Sequence, residues 1–324
     1  MIAARPNKAL VIGAAGNIGG PLVHHLKEVG YEVLETDIRP GLREGYLVAD
    51  INNPIDLLPA FDWGPDAVFL LAGAVGRGVC EQAGALAITT NLSGLSNVLT
   101  LCRRSGSRCV FFSSSEVYGP NDHVMDEATS VPRPNNRYAL SKWLGEQLVE
   151  YEVRAGLLQA TIVRLFTIYD ENEVAGDHRS AMIRFASHLA RGESIEVHRG
   201  SSRGWLHVSD AVRAIEAAGR LGEPTVINIG HPDVVQTTEL AEMIRKRLGA
   251  APTLIQLREL PAQMTLLKRP RLERQSALLG FRPAVALEQG VGWVCDRQKA
   301  LLATEHVELN VVHSPLAGQL SLVR

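Results

Sequence analysis

A short apolar run at residues 9–12 ends in Gly13-Ala14-Ala15-Gly16-Asn17-Ile18-Gly19, and a helical pattern follows to about Val29. Four apolar residues without alternation predict a strand buried on both faces, with helices above and below the sheet. Each glycine then has a use. Gly13 permits a tight turn, Gly16 lets the backbone approach a pyrophosphate, and Gly19 allows close helix–strand packing. Backbone N–H groups at the helix start, around Asn17 and Ile18, face that phosphate. Pro21 falls in the first turns of the helix, where its missing N–H costs least. The segment therefore asks for a parallel α/β sheet with a dinucleotide at its edge.

The chain downstream repeats the alternation. The run at 31–36 ends at Asp37, about 20 positions beyond the glycines, where a carboxylate suits the adenosine ribose hydroxyls. Its charge repels a 2′-phosphate and favours NAD over NADP, while Arg39 pulls the other way. Residues 48–51 bring Asp50, facing the adenine amine, and Ile51 to a further strand end. Residues 67–73 predict a fourth buried strand, which places Leu71, Ala72 and Gly73 at the cofactor. A helix over 91–103 carries Asn91. The strand at 109–112 runs into Ser113-Ser114-Ser115-Glu116-Val117-Tyr118-Gly119, and another follows at 161–165. Such alternation predicts a doubly wound parallel sheet, whose ligands lie beyond the carboxyl ends of the strands. Gly13, Asp37, Gly73 and Ser114 should then share one crevice.

Beyond Arg164 the pattern loosens. A polar loop at 171–180 precedes a helix at 182–190 and a strand at 194–198. Asp210 reads as the N-cap of a helix over 211–220. A strand at 225–229 and a helix at 238–248 lead into a basic stretch at 254–274. Val307, Leu309 and Val311 alternate weakly in the tail, which the pattern does not place. A net charge of −2 gives no electrostatic case for nucleic acid or an anionic membrane. The four cysteines share no CxxC or Cys/His spacing, so neither a metal site nor a disulfide framework is expected, and a reducing cytoplasm fits. The opening residues do not read as a signal peptide, and no apolar stretch approaches the ~18 residues of a membrane span.

Tyr138-Ala139-Leu140-Ser141-Lys142 sets a tyrosine and a lysine four positions apart, on one face of a helix. A phenol titrating at ~10 is a poor base at neutral pH. A lysine cation beside it, together with a cationic nicotinamide ring, favours phenolate and makes tyrosine a general base.

Taken together, these motifs resemble the extended short-chain dehydrogenase/reductase family, and within it the NAD-dependent nucleotide-sugar epimerases and dehydratases. The likeness runs over about residues 8–295. It includes the glycine loop, the Ser-Ser-Ser-Glu-Val-Tyr-Gly stretch, Tyr138/Lys142 and Arg203-Gly204-Trp205-Leu206-His207-Val208-Ser209-Asp210. It implies a Rossmann-like domain over 1–168, with 205–231 returning to it, and a smaller C-terminal substrate-binding lobe from 169–204 and 232–324. Ser114 stands at the family's catalytic Ser/Thr position, four residues before Tyr118, with Ser115 beside it as a substrate contact. Asn91 matches a helix asparagine near the active-site loops, and Arg203 an arginine that grips the nucleotide diphosphate. Arg269 and Arg271 are candidates for a second phosphate-binding arginine. Thr167 replaces an asparagine that often touches substrate phosphate.

The resemblance implies hydride removal from sugar carbon 4 with Tyr138 as base. Epimerisation through a 4-keto sugar is the first expectation. The alternatives are dehydration, or decarboxylation of a UDP-glucuronate type of substrate, using Glu116. A reductase of a non-sugar carbonyl is a further one, and the intact Ser114, Tyr138 and Lys142 argue against a non-catalytic sensor. A homodimer through the helices around Asn91 and Tyr138 is implied by the same analogy.

Overall fold

The structure is a computed structural model that describes residues 7–174, 176, 180–261 and 264–312, with side chains to residue 304. Seven parallel strands form the main sheet: β1 (Lys8–Ile12), β2 (Glu32–Asp37), β3 (Tyr46–Val48), β4 (Ala67–Leu70), β5 (Arg108–Ser114), β6 (Ala160–Leu165) and β7 (Thr225–Ile229). Their order is β7-β6-β5-β4-β1-β2-β3. The chain winds outward from β1 to β3, then returns to place β4 against the other side of β1. That reversal leaves a crevice at the carboxyl ends of β1 and β4, where open α/β sheets bind ligands.

The sequence of β1 explains why both faces are covered. Ala9 and Val11 enter one core with Leu22 and Leu26 of helix Gly19–Glu28 and Ala211 and Ile215 of helix Val208–Gly219. Leu10 and Ile12 enter the opposite core with Leu57, Leu95 and Leu99. Strand periodicity of two sends successive side chains to opposite faces, so an unbroken apolar run needs both layers.

The helical run Gly84–Ser105 is long and apolar enough, by length and composition, to cross a membrane, which corrects the sequence reading. Its apolar residues have another use. Leu95, Val98, Leu99 and Cys102 are buried in the core against the sheet. Within this run, residues Thr89–Gly94 take π-helical turns, and Gly94 fits there because a Cβ would meet Ile51 at 2.6 Å.

A smaller sheet lies beyond the carboxyl ends, in the order Val234–Gln236, Ser202–Gly204, Leu267–Pro270 and Val124–Met125. Its core includes Tyr169, Met182, Trp205, Leu240 and Val291. One expectation changes here. His207, not Asp210, caps helix Val208–Gly219, its Nδ1 accepting the Ser209 N–H at 3.3 Å. Asp210 sits in the first turn and accepts the N–H groups of Ala284 and Val285 at 2.8 Å, tying the C-terminal segment to that helix. Val307, Leu309 and Val311, which the pattern left unplaced, fall within helix Leu287–Val312. Residues 1–6, part of the polar stretch at 171–180 (residues 175 and 177–179), and the tail from 313 lie outside the described residues.

Candidate active site

The glycine loop forms the floor of the crevice. Gly13 has φ +94°, and a Cβ on it would lie 2.6 Å from the Ala72 nitrogen. A Cβ on Gly19 would lie 2.2 Å from the Gly13 oxygen. These contacts hold the turn tight against β4, while Leu71 and Ala72 donate to the Ile12 carbonyl at 2.8 and 2.9 Å. Asp37 closes one side. Its Oδ2 accepts the Ala15 N–H at 3.0 Å and its Oδ1 the Arg39 N–H at 3.0 Å, so the carboxylate is fixed at the loop. Arg39 is 63% exposed and pairs with Asp37 at 3.4 Å. Asp50 Oδ1 accepts from Asn52, and Ile51 is buried next to Gly94. A turn too tight for any side chain, at a helix N-terminus, with a fixed carboxylate beside it fits a dinucleotide.

Asp37→Asn tests this side of the site. Losing a charged acceptor costs about 1.5–3 kcal/mol. NAD affinity should therefore fall by about 10-fold or more, and discrimination against NADP should narrow. Calorimetry with both cofactors measures the two effects separately.

Asn91 sits behind Gly73. Its Oδ1 accepts the Ala74 N–H at 2.8 Å, and its Nδ2 donates to the Ala74 carbonyl at 3.0 Å and to Ser141 Oγ at 2.8 Å. This side chain fastens the loop after β4 to the helix that carries the reactive pair. That helix, Arg137–Arg154, starts at Asn136, whose side chain accepts the Ala139 N–H at 2.9 Å. The cap places Tyr138 in the first turn and Lys142 one turn later, facing the ends of β4 and β5. Lys142 is buried, and a Cβ on Gly73 would lie 3.5 Å from its Nζ. Burial pushes Tyr138 up to about 12, with a hydrogen bond to Ser114 opposing. Burial likewise lowers Lys142 to about 8, with Cys80 and Glu146 opposing. Ser114 is buried at the end of β5, and its Oγ accepts the Glu116 N–H at 3.2 Å. The structure thus brings Ser114, Tyr138 and Lys142 together.

Glu116 is placed differently from a free acid or base. It pairs with Lys268, and with Arg77 at 2.7 Å, while Asn136 donates to it at 3.3 Å. Burial alone would raise its pKa, but the two cations hold the carboxyl far below the usual range. Arg203 is half-buried nearby and interacts with Glu116, and its buried Nε has no hydrogen-bond partner among the described residues. Burial lowers Lys268, and Arg203 and Arg77 add to that against the single carboxylate. The cluster therefore holds more positive than negative charge.

The candidates Arg269 and Arg271 do not join this cluster. Arg269 is exposed, and Arg271 is 48% exposed and pairs with Asp126 at 2.7 Å. On strand Leu267–Pro270 the side-chain alternation turns Lys268 inward and Arg269 outward. Sequence reasoning missed both Lys268 and Arg77. Thr167 lies just after β6, where its carbonyl accepts the Leu206 N–H at 2.9 Å, and Ser115 is buried beside Glu116.

This fold and site define a dinucleotide-dependent enzyme, and family comparison makes the assignment specific. Residues 9–230 match the NAD dependent epimerase/dehydratase family, and the chain belongs to that family; its cofactor is NAD. It is 28% identical to a UDP-N-acetyl-alpha-D-glucosaminuronate decarboxylase of Bacillus cytotoxicus, over 88% of this chain and 95% of that protein. It is 25% identical to UDP-glucuronic acid decarboxylase 1 of Danio rerio, over 88% of this chain and 71% of that one. Among solved structures, MoeE5 in complex with UDP-glucuronic acid and NAD is 27% identical, with a TM-score of 0.80 over 91% of this chain and 99% of that chain. A UDP-glucose 4-epimerase of Thermotoga maritima shares the fold, with a TM-score of 0.84 at 24% identity, over 91% of this chain and 99% of that one.

Proposed function

We propose that this enzyme oxidises carbon 4 of a nucleotide-linked uronic acid and then releases the sugar carboxylate as carbon dioxide. The observation that carries this reading is the partly buried excess of positive charge beside Tyr138, where Arg77, Arg203 and Lys268 face Glu116 among the described residues. A partly buried, cationic recess next to the oxidation site suits an anionic substituent on the sugar. The relatives named as uronate decarboxylases support the same substrate class.

Held at the glycine loop and Asp37, NAD would supply the hydride acceptor and donor for carbon 4 and a cationic ring that adds to the field of Lys142. Tyr138 takes the 4-hydroxyl proton through Ser114. The resulting ketone lies β to the carboxylate. The carbon 5–carbon 6 bond then breaks, its electron pair moves onto the 4-oxygen as an enolate, and carbon dioxide leaves. Carbon 5 takes one proton from solvent, and Tyr138 returns its proton to the 4-oxygen as the alcohol reforms. Neither step asks Glu116 for a proton.

A second reading is 4-epimerisation, the first expectation from sequence. The clamped Glu116 favours it over dehydration, because inversion at carbon 4 also needs no base at carbon 5. Incubating the NAD-loaded enzyme with UDP-glucuronate in deuterated water separates these outcomes. Decarboxylation gives a product lighter by carbon dioxide and carrying deuterium at carbon 5. An unlabelled isomer of unchanged mass would overturn decarboxylation in favour of epimerisation. A homodimer is part of the same proposal, since Leu86, Ile88, Leu140 and Leu144 expose apolar side chains on neighbouring helices.

A further inference from the structure

Glu116 has no evident chemical task, yet three cations converge on it. They come from separate parts of the chain. Arg77 opens helix Arg77–Gln82 directly after Gly76, Arg203 lies on strand Ser202–Gly204, and Lys268 on strand Leu267–Pro270. Lys268 is 10% exposed and Glu116 is 17% exposed, so their ion pair is formed largely out of water. Taking charges from water is costly, and one carboxylate does not compensate three cations. The Arg203 Nε, buried and without a partner among the described residues, marks the same recess as incomplete.

We infer that Glu116 is an internal stand-in for a substrate carboxylate, and that Arg77 and Lys268 are the residues that select a charged sugar over a neutral one. The inference rests on the uronic-acid reading above. In the free enzyme Glu116 keeps the two cations paired. A sugar carboxylate entering the recess takes hydrogen bonds from Lys268 and Arg77, and Glu116 gives them up. Binding of a charged sugar is therefore weakened by competition with Glu116, and binding of a neutral sugar is not.

Two substitutions then move affinity in opposite directions. Both are made in NAD-loaded Tyr138→Phe enzyme, so that binding is read without turnover, with UDP-glucuronate and UDP-glucose as probes. Glu116→Gln should tighten UDP-glucuronate by about 10-fold or more and leave UDP-glucose within about 3-fold. Lys268→Met should weaken UDP-glucuronate by about 10-fold or more with the same indifference to UDP-glucose. Glu116→Asp, which keeps the charge but shortens its reach, should lie between Gln and the parent and guards against a folding defect in the neutral variant. Equal shifts for the two probes would overturn the inference and assign the cations to the diphosphate. Weaker UDP-glucuronate binding in Glu116→Gln would overturn it by making Glu116 a substrate ligand. If the parent binds UDP-glucose but not UDP-glucuronate, the uronic-acid reading itself fails, which is distinct from either of those results.

Discussion

Tyr138→Phe should lower turnover by ~100-fold or more while leaving NAD and nucleotide-sugar affinity nearly unchanged. The ring keeps its volume and its packing at the start of the helix, so the loss belongs to the proton transfer alone. The free site explains the size of the effect. Burial drives Tyr138 to about 12, and at neutral pH almost none of it is phenolate without added positive charge. Lys142, lowered by burial to about 8, is still mostly cationic below that pH and supplies part of the charge. Lys142→Ala should therefore move the acidic limb of the pH–rate profile upward, because Tyr138 must lose its proton without the neighbouring cation. A pre-steady-state measurement of NADH formation separates the oxidation step from carbon–carbon cleavage and hydride return. Near-normal oxidation by the phenylalanine variant would remove Tyr138 from its role as base.

The cofactor side of the molecule was readable because its requirements are local. Gly13 and Gly19 mark places where a Cβ collides with backbone, and such collisions leave a fixed spacing in the sequence. Asp37 was readable because it ends a strand, and Tyr138 and Lys142 because helix periodicity puts them on one face. The substrate side depends on distant pairings. Lys268 faces Glu116 because strand Leu267–Pro270 lies between Ser202–Gly204 and Val124–Met125, an arrangement no local pattern near Lys268 specifies. Its basic neighbours, Arg269 and Arg271, looked equivalent until the alternation of the strand separated them. Arg77 gave less signal still, as it starts the short helix Arg77–Gln82, whose direction is set by Gly76 at φ +96°. The helix over residues 84–105 misled in the opposite way. Its apolar residues are shared between a π-helical stretch and a core face, so composition and buried surface do not coincide. Glu146 was legible in principle. It follows Lys142 by four residues as Lys142 follows Tyr138, and the repeat of one face was there to be read.

That glutamate carries the largest expected effect on stability. Glu146 is fully buried and receives Arg164 through two nitrogens, with Nη2 to Oε2 at 2.7 Å and Nε to Oε1 at 3.0 Å. Ser113 donates to the same carboxylate, and Arg164 Nη1 reaches Tyr118 Oη at 3.0 Å. Tyr118 then donates to Asn228 at 2.8 Å, and Asn228 donates to the Met125 carbonyl at 3.0 Å. One hydrogen-bonded chain thus joins the reactive helix, β5, β6 and β7 to the smaller sheet. Arg164 stays charged, since the bonds to Glu146 outweigh its burial. Glu146→Gln strands that buried guanidinium, and breaking such a pair from one side costs about 3–5 kcal/mol. For a chain this long the melting temperature should fall by roughly 5 °C. Removing both partners as Glu146→Gln/Arg164→Met should recover much of the loss, because no uncompensated charge remains inside. Thermal melts of the two single variants and the double variant measure the coupling directly. Additive losses would mean that Ser113 and Tyr118, rather than Glu146 and Arg164, hold these elements together.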